Sequence, residues 1–419
     1  MFTAGTGVRL WTIKPHNLGG VVEYDGHFGW GGELIVGYWQ QATNPAPPVV
    51  NQKQFNVTPD GGLSFANWAV LSQFTDYQFH TPYMQYTQSL GATTLTGGLR
   101  VQIGTIPDKQ YYQTAGLPNL PYDQIFSLNP LVDPNAVVPG RTYTEFLPNF
   151  GVRQQVTREL SLNASYSRKI AAPDWSSSGV FLGSEAAFLK QGLNLASIFN
   201  PLRPAIVDEI DFGPRYQSSN LTIVPNFFWF KTNHKEILVF DPIVGLNYYQ
   251  SNATTTGYGA ELEAAWKFND QLTFTGSATA QSETYDNNIQ TASGTIMAVQ
   301  GKQVAYAPRY MLKGAVTYRI ENLTVTPVMR YVSTRYGIAD DTQAVSPYFV
   351  TDVTASYDLS DKVGVSSLGL KSLVASGGVL NLFNRHYIGE MGYEEIRLSG
   401  VSYYEAPPRT FFCNLTAKF

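Results

Sequence analysis

Apolar and polar residues take turns along much of this chain. In residues 271–284, QLTFTGSATAQSET, one side of an extended backbone carries Leu272, Phe274, Gly276, Ala278 and Ala280. The other side carries Thr273, Thr275, Ser277, Thr279, Gln281 and Glu283. Successive side chains of a strand point to opposite faces, so the segment reads as a strand with one apolar and one polar wall. Residues 258–268 repeat the pattern: Tyr258, Ala260, Leu262, Ala264, Trp266 and Phe268 oppose Gly259, Glu261, Glu263, Ala265 and Lys267. So do residues 309–319, where Tyr310, Leu312, Gly314, Val316 and Tyr318 oppose Arg309, Lys313, Thr317 and Arg319. At the end of the chain Phe411, Cys413, Leu415, Ala417 and Phe419 oppose Thr410, Asn414, Thr416 and Lys418. These runs are about 11–15 residues long, against about 5 or 6 for a strand of an ordinary globular protein. A tilted strand crossing a bilayer needs about 9–11 residues. The rows end in aromatic residues, as at a membrane girdle. The expected fold is an all-β, antiparallel transmembrane β-barrel. Tyr258, Phe268, Leu272, Phe274, Tyr310, Tyr318, Phe411, Leu415 and Phe419 should face lipid or the girdle. Glu261, Glu263, Thr273 and Thr416 should face the lumen.

The same reading places strands at 4–14, 19–28, 32–41, 78–90, 93–104, 146–156, 159–169, 205–217, 220–232, 244–268, 271–284, 303–319, 322–337, 346–359, 368–383 and 408–419. That is about sixteen strands, with boundaries the weakest part of the reading. Connections alternate in length. Short turns fall at 91–92, 157–158, 218–219, 269–270 and 320–321, and long ones near 42–77, 105–145, 170–204, 285–302 and 384–407. The long ones hold most of the 24 prolines. Residues 184–199, SEAAFLKQGLNLASIF, suit a short helix inside one of them. Outer-membrane barrels carry short periplasmic turns and long extracellular loops, so the long connections are expected outside the cell.

Composition agrees. Charged residues are 14% of the 419 and aromatics another 14%. Soluble domains carry about 25% charged residues. No run of apolar residues is long enough for a membrane helix. The net charge of −4 and the lack of a basic run give no sign of a nucleic-acid partner. The single cysteine, Cys413, excludes an internal disulfide. The first residues, MFTAGTGVRLWTIKP, lack the pattern of a signal peptide.

From about residue 205 onwards the chain resembles the C-terminal half of TonB-dependent receptors. TGYGAELEAAW at 256–266 resembles that family's Gly-x-Glu-x-Glu strand, after a strand and loop like NLTIVPNFFWFKTNHKEI at 220–237. Gly301, Val304 and Pro308 match its Gly-x-x-Val-x-x-x-Pro stretch. YVSTRYGIADD at 331–341 is similar to its Arg-Tyr strand end, and VLNLFNRHYIGE at 379–390 to its Asn-Leu-Phe-Asn segment. PPRTFFCNLTAKF at 407–419 matches its Pro-Arg finish with a terminal Phe. The resemblance implies an outer-membrane importer of siderophores or similar scarce nutrients. Its partners would be outer-membrane lipid, a small ligand such as a ferric chelate, and the TonB complex, reached through a plug domain. No plug or TonB-contact motif is found in residues 1–419, and about sixteen strands fall short of the family's roughly 22. The expectation is one domain over 1–419: a barrel incomplete at its N-terminus, which alone either fails to assemble or leaks small solutes. The competing reading is a passive porin-like channel of about sixteen strands, and a third is an outer-membrane enzyme or adhesin, of which the enzyme lacks a catalytic constellation.

Candidate chemistry is sparse. The five histidines are His16, His27, His80, His234 and His386, and none has a partner at metal-ligand spacing along the sequence. His234, beside Lys235 and Glu236, lies near an expected loop. Gly257 and Gly259 fit close backbone packing better than a phosphate-binding loop. Glu261 and Glu263 share a strand face, but read more simply as lumenal than as an acid–base pair. No enzyme, metal site or cofactor is expected. The best substrate-contact candidates are loop residues: Arg335, Tyr336, Arg385, Tyr387, Tyr393, Tyr403 and Tyr404. Arginine meets carboxylates and phosphates bidentately, and tyrosine covers flat chelate surfaces. The plainer reading is that these side chains pack loops and anchor the girdle.

Overall fold

The structure, a computed structural model, describes residues 7–12, 16–44, 51–73, 75–172, 177–364, 369–392 and 402–419. Fifteen strands form one sheet in chain order, every neighbour antiparallel. They are β1 (His16–Phe28), β2 (Gly32–Asn44), β3 (Tyr77–Leu90), β4 (Thr93–Ile106), β5 (Arg141–Gln155), β6 (Leu160–Ala171), β7 (Ala205–Gln217), β8 (Leu221–Asp241), β9 (Leu246–Lys267), β10 (Leu272–Tyr285), β11 (Tyr310–Ile320), β12 (Leu323–Val332), β13 (Tyr348–Asp358), β14 (Ser372–Leu380) and β15 (Thr410–Lys418). Each answers to one of the strands read from the sequence. Among the described residues, no strand pairs with the outer margin of β1 or of β15.

The remaining strand reading, 4–14, is corrected. Gly7–Thr12 pairs with Asn51–Val57, which pairs with Leu63–Val70, in a separate three-stranded sheet. Its alternation is satisfied within this loop sheet, beside a small core of Trp68, Leu71 and Ile125. The Trp68 indole donates to the Pro118 carbonyl at 2.9 Å. Residues 303–309 also leave the strand reading. Tyr306 sits at a φ of 66° and Pro308 follows, so the ladder of β11 starts only at Tyr310.

Cross-strand register carries the alternation into two continuous surfaces. Pro225, Leu262, Ala278, Leu312, Tyr331 and Phe349 are successive partners across β8 to β13 on one face. One residue along, Val224, Glu263, Ser277, Lys313 and Arg330 are partners on the other. The first surface is exposed despite being apolar: Tyr258 is 60% accessible and Leu415 67%. Such a belt needs a partner other than water. Trp266 stacks on Phe274 at 5.6 Å and meets Phe268 edge-on at 5.1 Å, an aromatic cluster at the foot of that face.

Glycines on the polar face make room for rings from the neighbouring strand. Phe230 lies opposite Gly257, and a Cβ at Gly257 would stand 2.2 Å from the Phe230 ring. Gly37 and Tyr83 repeat the arrangement at the same 2.2 Å. Gly257→Val is therefore expected to destabilise the sheet by about 1–3 kcal/mol through overpacking. Removing the ring in a Gly257→Val, Phe230→Ala double variant should recover part of that loss in urea titrations. A strictly additive loss would contradict the close approach.

Short connections at 29–31, 91–92, 156–159, 218–220, 268–271 and 321–322 gather at one end of the sheet. The long connections, β2 to β3, β4 to β5, β6 to β7, β10 to β11 and β14 to β15, leave and re-enter the sheet at the other end, as read from the sequence. The main buried core sits there too, among the loops. Phe181, Phe188, Leu195, Ile198 and Phe199 come from three short helices: Glu185–Leu189 and Leu195–Phe199, which divide the stretch expected to hold a single helix, and Ser177–Gly183, which precedes it. They pack on Val239, Leu246 and Tyr248, from the ends of β8 and β9 that reach past the other strands. Asn194 caps the last helix with its side chain on the Ser197 N–H at 2.9 Å.

Candidate functional site

A pocket of 560 Å³ opens in this loop layer. Its walls are Ala344–Pro347 from one connection, and Arg385, His386, Tyr387, Ile388, Tyr403 and Glu405 from another. Two small hairpins shape it. Arg335–Tyr336 pairs with Ala344–Val345, and Ile388–Gly392 pairs with Ser402–Glu405.

Arg335 joins the hairpins. It is buried, and its Nη2 donates to the Ile388 carbonyl at 2.7 Å. Its guanidinium carbon lies 5.5 Å from the Tyr348 ring centre, and Tyr348 stacks on Tyr387 with centroids 4.3 Å apart. A planar cation under stacked rings holds one face of the pocket in place. Burial, with Tyr348 beside it, holds the Tyr387 hydroxyl above its ordinary range, so it remains a donor at neutral pH.

The Asn-Leu-Phe-Asn segment gives the pocket its corner. Asn381 and Asn384 both adopt positive φ, 51° and 50°, a conformation asparagine tolerates better than most residues. The Asn381 amide oxygen accepts from the Arg385 N–H at 2.7 Å, and its amide nitrogen donates to the Arg385 carbonyl at 2.9 Å. Its own N–H donates to Asp352, which also receives Arg330 at 2.7 Å. This turn projects Arg385 outward, where no carboxylate among the described residues pairs with its guanidinium. His386 meets Glu405 at 2.5 Å, and the Tyr403 hydroxyl donates to Gln343 at 2.7 Å. A cation, a carboxylate, an imidazole and two phenols thus line one cavity with apolar flanks.

Of the seven substrate-contact candidates, Arg385, Tyr387 and Tyr403 line the pocket and Arg335 supports it. Tyr336 is half-buried, pairs with Ala344 of the pocket wall and offers its carbonyl to the Tyr306 N–H at 2.9 Å, but is not itself a lining residue. Tyr404 is half-buried on the strand between Tyr403 and Glu405, outside the pocket wall. Tyr393 lies outside the described residues. His386, Glu405 and Tyr348 were not among the candidates: Glu405 enters by pairing with Ile388, His386 by its contact with Glu405, and Tyr348 by its stack on Tyr387. His234 stands at a φ of 55° where the β8–β9 ladder shifts, and its neighbour Lys235 is committed to Glu283 at 2.6 Å. By register Glu261, Glu263, Thr273 and Thr416 share the polar face, and Tyr258, Leu272, Phe274, Tyr310, Tyr318, Phe411 and Leu415 lie on the opposite, apolar one; Phe268 and Phe419 fall just past the ends of β9 and β15.

A second polar centre locks the loop layer. Asp241, wholly buried, accepts from the Tyr248 hydroxyl, from Ser293 Oγ at 2.7 Å, and from the Ile243 and Ser293 N–H groups at 3.0 and 3.2 Å. Burial pushes its carboxyl up, but the hydrogen bonds outweigh this and hold it below the usual range.

The chain resembles known proteins along nearly its whole length. Residues 3–382 match the family described as TonB dependent receptor-like, beta-barrel. The ferrioxamine B receptor of Salmonella typhimurium is 28% identical over 148 residues, 33% of this chain and 19% of that protein. Among solved structures, the unliganded ferric citrate transporter FecA superposes with a TM-score of 0.68 at 15% identity, covering 99% of this chain and 55% of that one. The ferric yersiniabactin uptake receptor FyuA of Yersinia pestis gives 0.67 at 15%, covering 99% and 56%. The copper transporter OprC gives 0.66 at 14%, covering 95% and 55%. This chain therefore spans little more than half the length of those three solved proteins. With its long alternating strands, unpartnered apolar belt and loop-end core, it belongs to the TonB-dependent receptor β-barrel family of the bacterial outer membrane.

Proposed function

We propose that the chain forms barrel wall and outer loops of an importer for a ferric chelate or similar scarce nutrient, captured first in the pocket around Arg385. The apolar face meets outer-membrane lipid, the polar face lines the lumen, and the long loops stand outside the cell. Energy would come from the TonB complex. The observation that carries this reading is the 560 Å³ pocket, with Arg385 turned out by the Asn381 corner and Tyr387 and Tyr403 beside it. A metal chelate presents flat apolar surface together with charge, and such a lining answers both. The similar proteins include receptors for ferrioxamine B, ferric citrate and ferric yersiniabactin, which supports an iron chelate as cargo.

Fluorescence titration of the detergent-purified chain with ferric citrate and with ferrioxamine B tests it. An anionic chelate should depend on Arg385, and Arg385→Ala should weaken its binding at least tenfold. A cationic chelate should depend instead on Glu405. If neither chelate saturates, or if binding ignores both substitutions, the pocket is not the capture site.

A further inference from the structure

We propose that Asp25, His27 and Glu33 form a binding site for a divalent transition-metal ion on the polar face of β1 and β2, beside the short turn at 29–31. This does not rest on the import reading. Asp25 and His27 are two apart on β1, so they project to the same face. Glu33 on β2 is the direct cross-strand partner of His27. Register therefore assembles three ligand groups that linear spacing does not show. One ligand atom from each lies within 4.8 Å of the other two.

The distances suit a metal. His27 Nε2 and Asp25 Oδ1 are 3.5 Å apart. Metal–nitrogen and metal–oxygen bonds of about 2.0–2.2 Å put neighbouring tetrahedral ligands about 3.4 Å apart. Asp25 and His27 already have that spacing. Glu33, on a flexible side chain, has only to rotate inward. Charge points the same way. Two carboxylates share the site, and no lysine or arginine among the described residues forms an ion pair with either. The imidazole selects against calcium and magnesium, which prefer oxygen alone. The lack of thiolate or thioether selects against copper(I). Zinc, iron(II), cobalt(II) and nickel(II) remain as the class. Three protein ligands leave coordination positions open, so the ion would be exchangeable.

The test uses the whole chain, purified in detergent and stripped with a chelator, then titrated with zinc by calorimetry and with cobalt by its visible absorption. We expect one saturable equivalent with the cobalt spectrum of a nitrogen–oxygen site. His27→Gln should weaken zinc binding at least tenfold and Glu33→Gln severalfold. His16→Gln, which alters a pair with Asp76 on another part of β1, should leave it unchanged. Heat-modifiable gel migration checks that the variants fold. If His27→Gln does not fold, Glu33→Gln carries the same test. No saturable equivalent, or binding that survives both substitutions, overturns the proposal; so would loss in a His386→Gln variant instead, which would move the metal to the His386–Glu405 pair.

Discussion

Asp241→Ala is expected to loosen the loop layer by about 3–5 kcal/mol while leaving the strands below intact. The size follows from what the carboxylate holds. Hydrogen bonds to a buried charge contribute about 1.5–3 kcal/mol each, and a buried donor left without an acceptor costs about 1–3 kcal/mol. Truncation would strand the Tyr248 hydroxyl, the Ser293 hydroxyl and N–H, and the Ile243 N–H together. Tyr248 also accepts from the Ala292 N–H at 2.9 Å, so disorder should spread along residues 286–309. Limited proteolysis should show new cleavage there, with circular dichroism unchanged. A wild-type digestion pattern would show that the network contributes little. The pH dependence follows from the sign of the shift. The folded-state pKa of Asp241 is depressed, so the carboxylate's contribution is fully present above the unfolded value of about 3.9. It is lost as pH falls through the lower folded value. Wild-type loops should therefore become protease-sensitive in acid below about pH 4. Asp241→Asn, which has no proton to gain, should be sensitive already at neutral pH and change less on acidification.

The sequence showed the barrel more clearly than the site, for a physical reason. In a membrane sheet every strand repeats one local rule, apolar to one face and polar to the other, so the fifteen strands of the wall can be read one at a time. The rule fails where the local pattern finds a different partner. Gly7–Thr12 alternates well enough, but spends its hydrogen bonds on Asn51–Val57 in a loop sheet, and no local feature distinguishes the two choices. At 303–309 Pro308 is visible in the sequence, but the left-handed backbone of Tyr306 is not, and the apolar rhythm continues across both. The pocket is a harder case. Arg385, Tyr387 and Tyr403 could be named as loop aromatics and cations, whereas Tyr336 and Tyr404 look identical in sequence but do not line it. Which of them meet is decided by the Asn381 corner and by the pairing of Ile388–Gly392 with Ser402–Glu405. The Asp25–His27–Glu33 cluster shows the same limit, because half of its geometry is a register between strands.

That register has its sharpest test in a single pair of neighbours on β9. Leu262 lies near the middle of the apolar row, flanked across the ladder by Pro225 and Ala278, and is 41% accessible in the bare protein. Glu261 precedes it, flanked by Asn226 and Thr279 on the polar face. If the apolar face meets hydrocarbon, arginine at Leu262 must carry its charge into the bilayer, at a cost of about 2–4 kcal/mol near the midplane. Arginine at Glu261 enters a wall that already holds Glu263, Lys313 and Arg330, and should cost much less. Unfolding of both variants in phospholipid vesicles by urea gives the difference directly. The choice of β9 matters, since both of its margins are paired and the result reports on the wall rather than on a free edge. A strand has only two faces, so a slip of one residue would exchange the two outcomes. Equal costs at the two positions would mean that neither face is in lipid there. A larger cost at Glu261 than at Leu262 would turn the wall inside out.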